Sequence, residues 1–328
     1  MIALNARAAV RPELGGVERW ARELAARLPA LGGYEVIRPP AALAHRAGHA
    51  WEQAVLPARA RRMELLLNPA NLAPVAFPRN AVVIHDAAAL RRQQWYANAY
   101  ASWQQRILPL IARRARFVIT VSDYSRKELE ELLGVRASVV PGGADQRFRP
   151  DADPEPARAA LNLTRPYVLT VASRTARKNL SSLDATARRL QTQGIELVAA
   201  GGDRPQFDRG QMPEAMRALG HVPDEHLPGL YAGASAFVLP SWHEGFGLTC
   251  VEAMACGVPV VAARAGALPE TCGDAARYAD PFDPEDIADQ VEAALDDAAL
   301  RSAGPERAQR FTWDRTVTEL DALLRPKS

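Results

Sequence analysis

Segments with the pattern of buried strands alternate with segments of helical periodicity along almost the whole chain. Apolar runs bounded by turn residues predict buried strands at residues 65–68, 81–85, 117–122 and 138–141. Residues 16–28 place their apolar side chains on one helical face, and Asp123 is expected to cap the helix that follows the third of these strands. Because parallel strands need crossover connections, this alternation predicts doubly wound α/β structure.

The alternation is interrupted once, which predicts two domains. Residues 149–166 contain four prolines and few large apolar residues, as is typical of a linker. A second series follows, with strands predicted at 167–172, 196–200, 236–240 and 258–262, and helices at 179–193, 224–234, 248–255 and 284–296. We expect a first domain at 1–150, a second at 151–310, and a helix at 311–328 that returns to the first. Since ligands of such folds bind at the carboxyl ends of the strands, a cleft between facing domains is expected.

Composition and missing motifs exclude several classes of protein. The chain is 48% hydrophobic and 24% charged, as in ordinary globular proteins, and no apolar stretch resembles a signal peptide or a membrane span. A cytoplasmic location is therefore expected. The spacing of Cys250, Cys256 and Cys272 fits neither a disulfide framework nor a zinc site, so buried thiols are expected. Glycine patterns for a dinucleotide or a P-loop and an Asp-x-Asp at a strand end are absent, so no cofactor and no metal are expected.

Charge is distributed unevenly. Residues 1–150 contain 22 Lys and Arg against 12 Asp and Glu, whereas the remainder contains 18 against 26. A basic first half could face an anionic surface or substrate, or it could be a solvated Arg-rich surface, because 37 of the 40 basic residues are Arg. No nucleic-acid-binding motif accompanies the charge, so nucleic acid is not expected as a partner.

The most informative stretch is SWHEGFGLTCVEAMACGVPVV, residues 241–261. A strand leads into a loop of Glu244, Gly245, Phe246 and Gly247, and a helix opens at Leu248. Backbone N–H groups at a helix start attract anions, and glycines allow close approach of phosphate or sugar oxygens. Eight residues after Glu244 comes Glu252, so the two carboxylates could hold hydroxyls of two different rings. The alternative is that Glu252 pairs with an Arg and that Glu244 is solvated.

A basic loop follows the first strand of the second domain. Arg174 and Lys178, four residues apart, suit a diphosphate, because Arg can bind two oxygens and Lys supplies a mobile charge. The alternative is a solvated basic loop.

Two weaker features lie in the first domain. Leu14, Gly15 and Gly16 precede the first helix, where glycines could contact phosphate or sugar or could simply form a turn. His85 and Asp86 end a predicted strand, where His85 could meet a substrate or could be a buried histidine satisfied by a neighbour.

Taken in order, these segments resemble the family 4 glycosyltransferases of the GT-B fold over essentially the whole chain. The resemblance rests on GGVERWARELAARL, IHD, FVITVSDYSRKEL, VVPGGAD, VASRTARKNL, LGHVPDEHLPGLYAGASAFVLPSWHEGFGLTCVEAMACGVPVVA and FTWDRT. The spacing of Glu244 and Glu252 is similar to the E-x7-E signature of that family. Gly142 departs from the family pattern, which usually has Asn there, but Gly also tolerates the turn.

The resemblance implies two facing Rossmann-like domains, with an acceptor domain first and a donor domain second. Arg174 and Lys178 would neutralise the donor's diphosphate, and Glu244 would contact the donor sugar. Glu252 would bind the ribose hydroxyls. Further donor contacts are implied for Gly15, Gly16, Val222, Gly245, Phe246, Gly247 and Leu248, and His85 would face the sugar.

The resemblance also implies a reaction. A hexose, with mannose as the first expectation, would pass from a nucleotide-diphosphate sugar to a glycan or polyprenyl-diphosphate-linked acceptor, with retention of configuration and without a metal. Peripheral association with the anionic inner membrane face would suit such an acceptor. The alternatives are a nucleotide-sugar 2-epimerase and a non-catalytic scaffold that binds a sugar nucleotide.

Overall fold

The computed structural model describes residues 1–11, 15–43, 48–203 and 210–325. The chain forms two compact units. Unit 1 comprises Met1–Gln93, Asn98–Gly142 and the C-terminal segment from Trp313 onward. Unit 2 comprises Gln94–Ala97 and Gly143–Thr312.

Unit 1 is built on a six-stranded parallel sheet with the order β2-β1-β3-β4-β5-β6. Three of its strands, β1, β3 and β4, are buried along their whole length, and each is apolar except for one terminal Asn. The direction of winding reverses between β1 and β3. The strands are β1 Ile2–Asn5, β2 Tyr34–Ile37, β3 Leu65–Asn68, β4 Asn80–Val83, β5 Phe117–Thr120 and β6 Ser138–Val139.

Helices cover this sheet with their apolar faces. In the first of them, Trp20, Ala21 and Leu24 are fully buried, because residues three and four apart share one helical face. The helices are α1 Gly16–Arg27, α2 Gly48–Arg59, α3 Ala88–Arg91, α4 Asn98–Arg114 and α5 Asp123–Leu133.

Unit 2 contains a second six-stranded parallel sheet with the order β12-β11-β10-β7-β8-β9. Winding proceeds outward from β7 through β8 to β9, then restarts at β10 on the other side of β7. The boundary between β7 and β10 is therefore the topological switch point of this sheet. The strands are β7 Tyr167–Val171, β8 Glu196–Ala200, β9 Met216–Gly220, β10 Ala236–Leu239, β11 Val260–Ala263 and β12 Ala276–Ala279.

Helices of unit 2 connect most of its consecutive strands, as is usual in a doubly wound sheet. The helices of this unit are α6 Glu155–Leu161, α7 Asp184–Thr192, α8 Leu227–Ala232, α9 Leu248–Ala255, α10 Leu268–Cys272, α11 Pro284–Leu295 and α12 Ala298–Ala308.

The last helix, α13 Trp313–Leu324, packs within unit 1. The buried Trp313 meets Trp20 of α1 edge to face, with ring centroids 5.8 Å apart. Thr316 Oγ1 donates to the Pro141 carbonyl at 2.7 Å, and the Tyr34 hydroxyl donates to Asp321 at 2.7 Å. These contacts attach helix α13 to α1, to strand β2 and to the segment after β6, all of which belong to unit 1.

The predicted doubly wound α/β fold is confirmed, and the three cysteines are free, buried thiols. The predicted cap is wrong, because α5 is capped by Ser122, whose hydroxyl accepts the Ser125 N–H at 3.0 Å, and Asp123 is the first helical residue. Among the described residues, no helix combines the length and the low polarity that a membrane crossing requires.

Candidate active site

The two loops predicted to hold a donor follow the strands that flank the switch point of unit 2. One loop continues β7 and contains Arg174 and Lys178, and the other continues β10 and contains Glu244. Because β7 and β10 are hydrogen-bonded neighbours, their carboxyl ends lie side by side. Open α/β sheets bind ligands at this position.

The loop after β7 is held in place by Asn179. This residue adopts a left-handed conformation with φ of 54°, which Asn tolerates better than most residues. Its side-chain amide donates to the carbonyl of Pro240, at the end of β10, at 3.1 Å, and to the carbonyl of Pro281 at 2.8 Å. The short 3-10 turn Ala176–Lys178 is therefore anchored to both neighbouring loops.

Two cations from this turn converge on Glu244. Lys178 Nζ lies 2.6 Å from Glu244 Oε1, and Arg177 Nη1 lies 3.3 Å from Glu244 Oε2. The same Arg177 nitrogen donates to the His243 carbonyl at 2.5 Å. All three charged side chains are largely buried, with exposed fractions of 12% for Arg177, 13% for Lys178 and 9% for Glu244.

This environment controls the ionisation of the cluster. Burial alone would raise the pKa of Glu244, but attraction to Lys178 and Arg177 overrides it and lowers the pKa to about 2. Burial lowers the pKa of Lys178, and Glu244 opposes that shift. The carboxylate is therefore ionised at neutral pH and neutralises positive charge that an anionic ligand could otherwise use.

Arg177 was not among the residues predicted from the sequence, whereas Arg174 was. Arg174 Nε instead donates to the Gly210 carbonyl at 3.2 Å. The signal for Arg177 was its position next to Lys178, but which arginine turns toward Glu244 depends on the path of the 3-10 turn. The donor role predicted for Arg174 remains a prediction.

The loop from Glu244 to Gly247 leads into α9 through a strained backbone. Gly247 has a φ of +94°, and a Cβ there would lie 2.6 Å from Leu268 Cδ2. Gly247 is also the N-cap of α9 and offers no capping side chain, so the N–H groups of Leu248 and the following residue can donate to a ligand. Phe246 is held by the ring of Phe311, with centroids 5.3 Å apart.

Gly266 supports the same loop from the next strand and was not predicted from the sequence. Its φ is +60°, and a Cβ there would lie 2.6 Å from both the nitrogen and the oxygen of Glu244. The adjacent Ala267 donates its N–H to the Glu244 carbonyl at 2.9 Å. The position of Glu244 therefore requires a glycine after β11, which no motif considered in the sequence indicated.

Glu252 and Val222 lie elsewhere in unit 2. Glu252, on α9, is buried and accepts a hydrogen bond of 2.9 Å from the Tyr231 hydroxyl. This contact differs from the Arg partner weighed as the alternative for Glu252. Val222 is buried just after β9, beyond Gly220 with a φ of +68°. The ribose and base contacts predicted for these residues remain predictions.

The glycine pair of unit 1 has a different setting. Gly15 is the N-cap of α1, with φ of −120° and ψ of −179°, which other residues also adopt. Its N–H donates to the carboxylate of Glu18 at 3.1 Å, so a side chain of the helix itself occupies this position. Gly16 is the first helical residue, and Leu14 lies outside the described residues.

His85 is buried in unit 1 and already has partners. Its Nε2 lies 2.8 Å from the Pro69 carbonyl, which can only accept, so Nε2 carries a proton. The ring meets Trp20 edge to face at 5.5 Å. Burial lowers the pKa of His85, so the imidazole is neutral at pH 7. These contacts match the alternative of a satisfied buried histidine, and the sugar-facing role remains a prediction.

Within the described residues, no three His, Cys, Asp or Glu side chains lie close enough together to hold a metal ion.

Comparison with known sequences places the chain among sugar-transferring enzymes. Residues 151–311 match the family described as Glycosyl transferases group 1. The O-antigen chain mannosyltransferase B of Escherichia coli is 31% identical over 266 residues, which cover 75% of this chain and 70% of that protein. The D-inositol 3-phosphate glycosyltransferase of Corynebacterium jeikeium is 32% identical over 211 residues, 56% of this chain. The chain spans only half the length of the latter enzyme.

Solved structures share the fold across the whole chain. Sucrose-phosphate synthase of Thermosynechococcus elongatus superposes with a TM-score of 0.78 at 22% identity, over 99% of this chain and 98% of that one. HepE of Anabaena, in complex with UDP and glucose, gives 0.74 at 18% identity, over 99% of both chains. These identities are low enough that the likeness concerns the fold.

Two doubly wound parallel sheets with such neighbours define the GT-B fold. The chain belongs to the group 1 glycosyl transferases, as its similarity to the mannosyltransferase over most of both chains shows.

Proposed function

We propose that this glycosyltransferase moves a hexose, with mannose as the first candidate, from a nucleoside-diphosphate sugar to a glycan or a lipid-diphosphate-linked glycan. The observation that carries the proposal is the buried cluster of Arg177, Lys178 and Glu244 at the switch point of unit 2. It combines two cations, a helix start without a capping side chain and a carboxylate. A diphosphate needs the first two, and sugar hydroxyls need the third.

The chemistry follows from charge. Breaking the anomeric bond leaves positive charge on the sugar and negative charge on the departing diphosphate. Lys178, Arg177 and the N–H groups at the start of α9 would stabilise that negative charge without a metal, because preorganised donors in a site with little water act strongly. We propose retention of configuration, with the leaving phosphate accepting the proton of the acceptor hydroxyl.

Donor binding would also reorganise the cluster. Glu244 now neutralises Lys178, and a diphosphate that takes its place would release the carboxylate toward the sugar hydroxyls. Gly266 and Ala267 hold the backbone of Glu244, so only its side chain would have to turn. The same residue would thus neutralise the two cations before the donor binds and contact the sugar afterwards.

The choice of mannose and of a glycan acceptor is supported by the Escherichia coli relative, which is named as an O-antigen chain mannosyltransferase. Peripheral membrane association is supported by α4. Arg106, Arg113 and Arg114 are exposed on this helix beside Leu110, which is 46% exposed. Anionic lipids attract each such cation by about 1 kcal/mol. Vesicles of phosphatidylglycerol should bind the protein at low salt, and failure to bind would contradict this part.

The experiment that tests the donor is a thermal-shift screen of the protein against GDP, UDP, dTDP, ADP and their sugar conjugates, with and without EDTA. A ligand of the native state raises the apparent stability, so the correct nucleotide should stand out. A selective shift that EDTA does not change supports the proposal. No shift with any nucleotide would contradict it. Product analysis by NMR then separates transfer with retention from 2-epimerisation, which needs no acceptor.

A further inference from the structure

A pocket of unit 2 lies beside the donor cluster, which is the cluster of Arg177, Lys178 and Glu244, and we propose that this pocket binds a pyranose ring of the acceptor glycan. The pocket has a volume of about 540 Å³ and lies at the carboxyl ends of β11 and β12. Its walls include Arg264, Tyr278, Asp280, Phe282, Asp286 and Gln290. This assignment rests on the proposed function, because it supplies the acceptor with a second point of attachment.

Phe282 provides the exposed aromatic ring of the pocket. Its side chain is 79% exposed, the highest value among the large apolar side chains of the described residues. A single exposed apolar side chain is common, but this ring lies in the wall of a pocket that also contains charged and amide side chains. It lies nearly parallel to Trp242, at 15° and 6.4 Å between centroids. Trp242 in turn stacks on Trp95, which also belongs to unit 2, at 21° and 6.1 Å.

The polar groups around Phe282 are connected by hydrogen bonds and a cation–π contact. Asp280 accepts the N–H of Phe282 at 2.9 Å, and Asp286 accepts the N–H of Asp280 at 2.7 Å. Gln290 donates to Asp286 at 3.2 Å, and the Arg264 guanidinium lies 5.2 Å from the centre of the Tyr278 ring. Each carboxylate has further acceptor positions and each of these cationic or amide groups has further donors.

Such a set matches a pyranose. One face of that ring carries C–H groups with partial positive charge, which pack on the negative face of an aromatic ring. Its edge carries neighbouring hydroxyls, which both donate to carboxylates and accept from guanidinium and amide groups. A nucleotide phosphate fits less well, because Asp280 and Asp286 would repel it.

The pocket is physically joined to the donor cluster. The Pro281 carbonyl, next to Phe282, accepts from Asn179, which follows Lys178. The backbone N–H of Trp242 donates to the Arg177 carbonyl at 3.1 Å. Ala265, in the wall of the pocket, precedes Gly266, whose backbone lies against that of Glu244. The proposed function assigns the donor's sugar and diphosphate to the cluster of Arg177, Lys178 and Glu244. We therefore assign the neighbouring pocket to a sugar of the acceptor glycan.

The test measures saccharide binding directly. The full chain is titrated with tetrasaccharides of mannose, glucose and galactose and observed by saturation-transfer-difference NMR. We expect one of them to bind and Phe282→Ala to weaken its binding about tenfold, in line with the strength of ring stacking. Phe282→Trp keeps an aromatic face and should restore binding. Val55→Ala removes an exposed apolar side chain of unit 1 and should leave binding unchanged.

Two results would overturn the inference: absence of binding by all three tetrasaccharides, or equal binding by the wild type and Phe282→Ala. If the donor proposal is wrong, no nucleotide raises the unfolding temperature of the wild type or of any variant. That result is distinct from a loss of saccharide binding. Once transfer is measured, Phe282→Ala should raise KM for a tetrasaccharide acceptor and leave KM for the donor unchanged. A rise in the donor KM alone would assign Phe282 to the donor site and also overturn the inference.

Discussion

The helices α1 and α9 both begin directly after glycines, yet their N-termini differ in what occupies them. At the start of α1, the Glu18 carboxylate accepts the N–H of Gly15 at 3.1 Å. At the start of α9, Gly247 supplies no side chain, and the nearby carboxylate of Glu244 is directed to Lys178 instead. The sequence offers two similar glycine-rich helix starts. A carboxylate of its own helix lies at the start of α1, whereas the loop that opens α9 lies beside two cations. We therefore expect an anion to bind at the start of α9 and not at the start of α1.

The largest effect is expected when one of the two cations beside the start of α9 is removed. Lys178→Ala should lower kcat about 100- to 1000-fold while the fold survives, because a preorganised positive charge at the leaving group is lost. Steady-state transfer assays measure the change, and circular dichroism checks the fold. Lys127→Ala, an exposed lysine on α5, is the matched control and should retain its activity. Near-normal turnover of Lys178→Ala would remove the cluster from catalysis.

The acid sensitivity of unit 2 should depend on Glu244. Its pKa of about 2 in the folded protein lies below the ordinary value of 4.5, so folding favours the ionised form. The resulting stabilisation, up to about 3 kcal/mol, is present above pH 4.5 and is lost as the pH falls toward 2. Thermal unfolding of wild type and Glu244→Gln between pH 6 and pH 2.5 should therefore converge at low pH. Glu225→Gln removes one carboxylate from the surface of unit 2 as a control, and parallel curves for Glu244→Gln would refute the expectation.

Nucleotide affinity tests whether Glu244 competes with the diphosphate. Glu244→Gln leaves Lys178 and Arg177 without their counter-ion, so the nucleoside diphosphate should bind about tenfold more tightly, a difference of about 1.4 kcal/mol. Transfer should nevertheless slow, because the sugar loses its carboxylate. Isothermal titration calorimetry with the nucleotide selected by the thermal-shift screen gives the affinity. Weaker nucleotide binding in this variant would mean that Glu244 does not exchange with the phosphate.

A matched pair of glycine substitutions contrasts the two helix starts. Gly247→Ala forces a side chain into a left-handed backbone and against Leu268, and should destabilise unit 2 by about 1–2 kcal/mol. Gly15→Ala adds a side chain to an extended backbone that other residues also adopt, and should cost only about 0.5–1 kcal/mol, as for an alanine at an N-cap. Thermal unfolding midpoints compare the two variants. Equal losses would show that backbone geometry does not distinguish the two helix starts.

The smallest expected effect on stability comes from removing the Glu18 carboxylate at the start of α1. Glu18→Ala removes the acceptor of the Gly15 N–H and should lower stability by about 0.5–1 kcal/mol, as for other lost caps. Glu18→Gln keeps an acceptor and should lose less. Urea unfolding gives both values. A gain in nucleotide affinity in Glu18→Ala would indicate that the start of α1 also accepts phosphate once its carboxylate is removed.

The fold could be predicted where the sequence carries its own periodic signal. Strands β3 and β8 and helix α9 begin and end at the predicted residues, because their apolar runs are long and bounded by turns. Strands β1, β2, β9 and β12 were not predicted. The last three lie at the sheet edges and are partly exposed, so their sequences mix polar and apolar residues without a clear pattern. Strand β1 is buried, but the apolar run within it is only three residues long.

The site was predictable in kind but not in detail. The stretch from Glu244 to Leu248 and the basic loop after β7 were both recognised from the sequence. The choice of Arg177 as the second cation, the support from Gly266 and the stacking of Phe282 depend on contacts between residues that are 22 to 67 positions apart in the chain. Local patterns contain no information about such contacts.

The sequence by itself therefore determined two doubly wound α/β domains, the loop that opens α9 and the presence of cations near it. These properties follow from periodicity, glycine content and charge, which act over a few residues. Only the tertiary structure decided which charges meet. The order of strands places the ends of β7 and β10 side by side, and the conformation of Asn179 aims Lys178 and Arg177 at Glu244. Burial then gives these charges their strength, since a low dielectric environment amplifies whichever pairs the fold has brought together.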